Sequence, residues 1–431
     1  MLQLEKYHKL TFSNFKSVLY YLYKLQRNEK KYSLDNTYKL LKPLGNPQNQ
    51  LRCIHIAGTN GKGSVSASIN RILMEMGIKV GLYTSPHLLK FNERIKVDGI
   101  SITDEEIEAF VKINKTHFSK VGCSFFEATT AMALNYFVSK NVEVGVIETG
   151  LGGRLDSTNV IKPDLTVITP ISLDHRQVLG NSLVEIALEK SGIMKPKIPL
   201  VISDQEEEVC EVFSKKAKLL KCPFKIIKDS MVENIQVGYR GTNFSYFQKQ
   251  YETNLIGVHQ ARNSVLAIEA TKMFEPKIME NTIKNGLKKV VWPGRLELLE
   301  DFIFFDVAHN KSSIMNVLNT IKILFPSKDL VALLCLKADK EPSLFAKYFK
   351  QHVKKLYITT DYSKTLMDPI TLSGVMRNNG CANEVLKDIK EGIIKLKLDV
   401  KKGAIGIILG SHFIAEEVYN EFQISFDPDQ I

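Results

Sequence analysis

The stretch "GTNGKGS", residues 58–64, places one lysine among three glycines, between an apolar run "CIHIAG" and a segment with helical spacing. That is the context of a phosphate-binding loop. Glycines let backbone N–H groups approach phosphate oxygens, a following helix presents its positive end, and Lys62 adds a point charge. The usual loop follows its lysine with Ser or Thr, whose hydroxyl ligates the Mg²⁺ of a nucleotide. Here Gly63 has no side chain, so a metal-binding hydroxyl must come from Ser64 or from elsewhere. The plain alternative is a glycine-rich structural turn.

Charged residues at strand ends extend this chemistry. "GVIETGLGGRLDSTNV" (145–160) sets Glu148 at the end of an apolar run, where open parallel sheets bind ligands. A carboxylate there needs a metal or a cation, and Arg154 is the nearby candidate for a simple salt bridge. "SLDHRQVLG" (172–180) repeats the pattern, with Asp174 and His175 expected to end a strand. Glu and His delivered toward one loop suit Mg²⁺ or Mn²⁺. Lys190, in "IALEKSGIMK", reads by itself as a helix-surface lysine.

The elements needed to hold these groups are legible as alternating strands and helices. Residues 1–50 carry helical spacing and end at "GNPQN". Strands are expected at "CIHIAG", "KVGLYTS", "VEVGVIETG" and "LTVITPIS". Helices are expected from Ser64 to Met76 and at 104–119 and 128–139. Apolar strands alternating with helices imply a parallel sheet covered on both faces. Residues 224–258 alternate polar and aromatic residues in short pieces, which predicts antiparallel strands appended to that sheet. "WPGR" (292–295) reads as a linker, after which "FIFFDVAH", "LVALLCLK", "LYITTD" and "AIGIILGS" restart the alternation. The fold class expected is α/β: a P-loop-containing, mainly parallel sheet domain with a small antiparallel addition (1–294), then a smaller Rossmann-like α/β domain (295–431).

Composition narrows the setting. The chain of 431 residues is too long for one ordinary core. It is 44% hydrophobic and 24% charged, with a formal charge of +11 that suits anionic ligands. The lysines are scattered without a basic run, which argues against nucleic acid. Cys53, Cys123, Cys210, Cys222, Cys335 and Cys381 form no Cys-x-x-Cys pair and read as free thiols of a reducing compartment. With no signal-like N-terminus and no spanning apolar run, a cytoplasmic location away from membranes is expected.

"GTNGKGS", "YTSPHL", "ERI", "SFFE", "ETGLGGRLDSTN", "DH…LG", "IALEKSGIMK", "HQARN", "PGR" and "DVAHN" follow one another in order. This set resembles the folylpolyglutamate synthase and bifunctional dihydrofolate synthase family, within the Mur-ligase superfamily of ATP-dependent amide ligases. The resemblance implies a triphosphate cradle at Thr59, Asn60, Gly61, Lys62, Gly63 and Ser64. It implies a magnesium site of Ser85, Glu148 and His175, with a second metal held by a carbamylated Lys190. Ser64 stays a competitor for the hydroxyl role, or a helix cap. The resemblance further assigns Asn263, Arg295 and Asp306 to the nucleotide, His309 to the phosphates, and Phe126, Glu127, Leu155, Asp156 and Ser157 to the pterin end of the substrate. Phe126 reads equally well as core.

Two departures from the family pattern stand out. Val307 and Lys311 replace the commoner Gly and Pro of the "DVAHN" region, which bears on the placement of His309. Asn36 and Thr37 stand where a pterin-binding motif usually has Glu-Arg or similar, which bears on substrate choice.

The expected activity is ATP-dependent joining of L-glutamate to a folate carboxylate through an acyl phosphate, with Lys62, Lys190 and His309 as catalytic groups. Dihydropteroate is expected as a second, poorer substrate, and the protein as a monomer. A Mur-type ligase of muropeptides would need a larger domain before the loop. A nucleic-acid-stimulated P-loop ATPase fits the charge and predicts turnover driven by DNA or RNA.

Overall fold

The computed structural model describes residues 15–25, 33–361, 365–427 and 429. Residues 1–14 and 26–32, part of the expected N-terminal helical segment, lie outside the described residues; Phe15–Tyr23 and Asp35–Leu41 are helices. The chain divides into two compact units, Met1–Ile171 with His175–Ile227 and Leu266–Gly286, and Ser172–Asp174 with Lys228–Val265 and Leu287–Ile431.

The first unit is built on eight strands: β1 Arg52–Ala57, β2 Val80–Tyr83, β3 Ile95–Val97, β4 Ile100–Ser101, β5 Val144–Glu148, β6 Leu165–Ile168, β7 Leu200–Ser203 and β8 Phe224–Ile227. Their order is β4-β3-β2-β5-β1-β6-β7-β8. All neighbours are parallel except the β2–β3 and β3–β4 pairs. Strands β2, β5 and β6 are buried along their whole length, as a sheet covered on both faces requires. Helices cover it with explicit start signals. Thr103 opens Asp104–Val121 and Ser124 opens Phe125–Ser139, each by a reciprocal capping box with a glutamate three residues on.

The second unit contains β9 Val232–Gly238, β10 Gly241–Tyr246 and β11 Lys249–Thr253 as a separate antiparallel sheet. Its six-stranded sheet joins β12 Glu297–Glu300, β13 Ile303–Asp306, β14 Leu330–Leu334, β15 Lys355–Ile358, β16 Asn383–Val385 and β17 Ile405–Leu409, in the order β12-β13-β17-β14-β15-β16. Only the β12–β13 pair is antiparallel.

The antiparallel strands are therefore not appended to the large sheet. Residues 228–265 pack on the second unit, because Ile256 is part of its apolar core and the Tyr239 ring lies 5.2 Å from Phe325. The pattern at 224–258 predicts antiparallel strands, which β9, β10 and β11 are. Its first residues instead form β8, which pairs with β7 in parallel in the large sheet, and it carries no information on which core the others join.

Candidate active site

The loop after β1 passes so close to the end of β6 that a Cβ at Gly58 would lie 1.8 Å from Thr169 Oγ1. Only glycine fits that approach. Pro170 then fixes the loop from the other side: its carbonyl accepts the N–H groups of Thr59 (2.9 Å) and Asn60 (3.2 Å). Gly61, at φ 84°, caps the helix Lys62–Glu75 without a side-chain bond. The first intrahelical bond runs from Val65 N to Gly61 O at 2.9 Å, so the amides just ahead of it have no carbonyl within the helix to donate to. Of the expected cradle, Thr59 and Asn60 thus have their amides committed to Pro170. Ser64 is buried at the third helical position and does not cap the helix; Gly61 does.

Glu148 ends β5 and is 4% exposed. Lys62 Nζ stands 3.8 Å from its Oε1, and the backbone N–H of Ser85 donates to its Oε2 at 3.2 Å. The salt bridge considered with Arg154 does not form. Arg154 donates to Glu189 Oε1 from Nε and Nη2, at 3.1 and 2.9 Å. Lys62, Glu148 and Ser85 are therefore brought together, Lys62 from the helix start after β1, Glu148 from the end of β5 and Ser85 from just past β2.

His175 is placed differently from the expectation. Strand β6 stops at Ile168, and His175 is exposed on the following loop at φ 50°, heading the short helix Arg176–Leu179. Lys190 is buried rather than on a helix surface, at 4% exposure, and its Nζ donates to Gly58 O at 2.7 Å. Among the described residues no three His, Cys, Asp or Glu side chains form a metal-binding group.

The expected substrate wall is ordered by its own bonds. Phe126 is half-buried, its ring 6.1 Å from Tyr83 and so close to Gly150 that a Cβ there would lie 2.3 Å from Phe126 Cζ. Glu127 Oε2 accepts the Ser124 N–H at 2.7 Å, which makes this carboxylate a helix cap. Asp156 is buried and holds the turn: it accepts Leu151 N at 2.7 Å, Thr158 N at 3.0 Å and the Thr158 hydroxyl at 2.6 Å. Burial raises its pKa. Because the Thr158 proton goes to Asp156, the 2.8 Å contact to His55 requires His55 Nε2 to donate. Leu155 is half-buried and Ser157 buried beside it.

In the second unit Asp306 ends β13, buried, with Oδ2 accepting Leu296 N (2.8 Å) and Oδ1 accepting Ala308 N (2.7 Å). Burial raises its carboxyl pKa, and nearby Arg295 opposes that rise. Arg295 Nη1 donates to Gly294 O at 2.9 Å. Asn263 donates to Gln260 Oε1 at 3.0 Å within the helix Val258–Phe274. His309 Nδ1 donates to Val307 O at 2.8 Å, while its Nε2 lies 3.5 Å from Asp174. Lys340 Nζ donates to Asp174 at 2.6 Å.

Residues 56–271 match the Mur ligase middle domain, and 294–412 the Mur ligase glutamate ligase domain. The chain is 39% identical over 321 residues to a dihydrofolate synthase/folylpolyglutamate synthase of Bacillus subtilis, covering 70% of this chain and 75% of that one. The chain belongs to the folylpolyglutamate and dihydrofolate synthase family of Mur ligases. Among solved structures, Mycobacterium tuberculosis folylpolyglutamate synthase complexed with ADP has a TM-score of 0.88 at 29% identity, covering 96% of this chain and 99% of that one. An FPGS complex with AMPPCP and folate has a TM-score of 0.81 at 29% identity, covering 94% and 98%. As a member of this family the chain is an ATP-dependent ligase.

At the Val307 departure, His309 is held by the main-chain oxygen of Val307 and not by its side chain. Lys311 opens the helix Lys311–Leu324 after Asn310, whose side chain caps it without help from a proline. The stretches "ERI" and "YTSPHL" also hold Arg94 and His87, to which the sequence pattern assigns no role. Arg94 Nε donates to His87 Nδ1 at 2.7 Å, and its guanidinium lies 5.3 Å from the centre of the Phe125 ring. A charged pair between apolar runs, "FNERIKV", was the available signal.

Proposed function

We propose that this chain joins L-glutamate to the carboxylate of tetrahydrofolates, and also to dihydropteroate, through an acyl phosphate. The observation that carries the reading is the Lys62–Glu148–Ser85 group at the start of the helix Lys62–Glu75. A substrate carboxylate oxygen attacks the γ-phosphorus of ATP, the bond to ADP breaks, and the glutamate amine then attacks the acyl carbon. Phosphate leaves with the former carboxylate oxygen, and the amine gives up a proton. Lys62 neutralises charge on the transferring phosphoryl group, and the helix start orients it. Asn263, Arg295 and Asp306 are proposed nucleotide contacts, and His309 a phosphate neighbour. The functional division is proposed at 294/295.

Magnesium fits the residues present: a buried carboxylate at Glu148 and the hydroxyl of Ser85 are hard oxygen donors, with His175 and Lys190 completing the proposed set. When bound, the metal would neutralise phosphate charge. A carbamate on Lys190 fits as well, since its nitrogen keeps one N–H for Gly58 O and gains two oxygens.

Phosphate release is measured with tetrahydrofolate, dihydropteroate and a UDP-muropeptide offered separately, with and without L-glutamate. Release is expected with the first two and only when glutamate is present. Release with the muropeptide alone, or stimulation by nucleic acid without any folate, would overturn the reading.

A further inference from the structure

Arg94 lies at the end of the short helix Phe91–Arg94, just before β3, and is only 7% exposed. Its side chain has two partners. Nε donates to His87 Nδ1, and the guanidinium plane covers Phe125, which stacks in turn on Tyr23 at 5.2 Å. Neither partner carries negative charge. The adjacent carboxylate of Glu93 is committed elsewhere, accepting the N–H groups of Leu88, Leu89 and Lys90 at 2.7, 2.7 and 2.5 Å. Among the described residues no carboxylate lies within ion-pairing distance of Arg94, and its two terminal nitrogens donate to no acceptor.

A buried guanidinium with no ion-pair partner is costly. The fold retains that cost at a telling place. The groups that feel the Arg94 charge are Tyr83, Tyr23, its neighbour Glu93 and Glu148. Tyr83 stacks on Phe126, and Glu148 is the buried carboxylate at the loop lysine. Arg94 thus packs on Phe125, the neighbour of Phe126 in the aromatic wall, and lies within electrostatic reach of Glu148.

A planar, two-pronged cation on an aromatic floor is suited to one carboxylate. The glutamyl end of a folate has two. One reacts near Glu148; the other, separated from it by three carbon atoms, remains ionised and needs a counter-charge. We infer that Arg94 anchors this unreacting carboxylate of a folate substrate. The inference rests on the proposed function and adds a basis for substrate choice. Dihydropteroate has only the carboxylate that reacts, so it cannot use the anchor.

The test compares a tetrahydrofolate with its amide at the carboxylate that the enzyme does not extend, using wild-type protein, Arg94→Gln and Arg94→Lys. Wild-type protein should show a KM for the acid about ten- to a hundredfold below that for the amide. Arg94→Gln should reduce this discrimination to less than about threefold, with Arg94→Lys between the two. The KM values for ATP and L-glutamate should stay with the wild type. The inference is overturned if wild-type protein does not discriminate, if Arg94→Gln discriminates as well as wild type, or if the KM for L-glutamate rises instead. The wild-type acid and amide comparison holds even if a variant fails to fold. Failure of the proposed function would look different: wild-type protein would extend neither compound.

Discussion

Lys62 Nζ lies 3.8 Å from Glu148 Oε1, a cation at a helix start facing a carboxylate buried at a strand end. At this distance the pair is loose, and Glu148 takes a second contact from the Ser85 backbone. Each charge has a stronger partner in the proposed reaction. Triphosphate would draw Lys62, and magnesium would take Glu148. The pair keeps two costly charges compensated until those ligands arrive.

The missing hydroxyl after Lys62 makes Ser85 the predicted metal ligand. Ser85 adjoins the Glu148 carboxylate, whereas Ser64 sits inside the helix. Ser85→Ala should weaken magnesium-dependent ATP turnover on the order of a hundredfold, and Ser64→Ala by a few-fold at most. A magnesium titration of turnover in both variants checks this. Equal, mild effects would exclude the assignment.

Lys190 should be carbamylated in the working enzyme. It is buried and already bonded to the loop at Gly58 O. Lys190→Ala should lose activity and regain part of it with added short carboxylic acids, which supply the two oxygens of a carbamate. An unmodified Lys190 in a metal-loaded crystal grown at neutral pH with bicarbonate would contradict the prediction.

Much of this site was legible in the sequence because burial and chemistry coincide there. The strand before Gly58 is a short, mostly buried run followed by the loop lysine, and the strand ending at Glu148 is an apolar run closed by that carboxylate. His175 was misplaced for a physical reason. "LTVITPIS" stays apolar past Ile168, but Pro170 has no N–H for the ladder, so the strand ends and its carbonyl turns to the loop amides. Arg154 looked like the partner of Glu148 by nearness in sequence. Its backbone N–H is tied to Glu189 O at 2.8 Å, and the side chain follows it there. The β3–β4 hairpin was missed although Asp98-Gly99, both at positive φ, is a strong turn signal. No periodicity could show that Arg94 would be buried with no ion-pair partner among the described residues.

Acid should destabilise the fold through His55. Burial, with a smaller contribution from Lys195, pushes its pKa down from 6.5 to about 3. Below about pH 6.5 the unfolded chain takes up a proton that the folded chain refuses, so stability falls as the pH drops toward about 3. Above that range the group has no effect. At pH 5 the cost is about 2 kcal/mol. Buried His259, at about 4, acts in the same direction. In thermal melts the loss of Tm between pH 7 and pH 5 should be smaller for His55→Gln than for wild type. An unchanged loss would contradict this origin.

Dihydropteroate should be the poorer substrate. Its pterin must sit closer in than that of a folate when the same carboxylate position is used. The helix Asp35–Leu41 packs on the helix Phe125–Ser139 and the turn Ser157–Val160, both carrying proposed substrate positions. Here it presents Asn36 and Thr37, buried, with Asn36 Nδ2 and Thr37 Oγ1 lacking a partner among the described residues. A lost hydrogen bond to a buried pterin costs roughly 1–3 kcal/mol, about tenfold or somewhat more. The ratio of kcat/KM for tetrahydrofolate and dihydropteroate at saturating ATP and glutamate decides it. A preference for dihydropteroate would show that these two residues serve its pterin well.

The acyl phosphate is the centre of the account, and isotope transfer reports on it most directly. A folate labelled with ¹⁸O in the carboxylate that reacts is turned over with ATP and L-glutamate, and the released phosphate is weighed by mass spectrometry. Each phosphate should carry one ¹⁸O, because the bond between that oxygen and the acyl carbon breaks when the amine attacks. Phosphate free of label, alongside normal glutamyl product, would contradict phosphoryl transfer to the substrate.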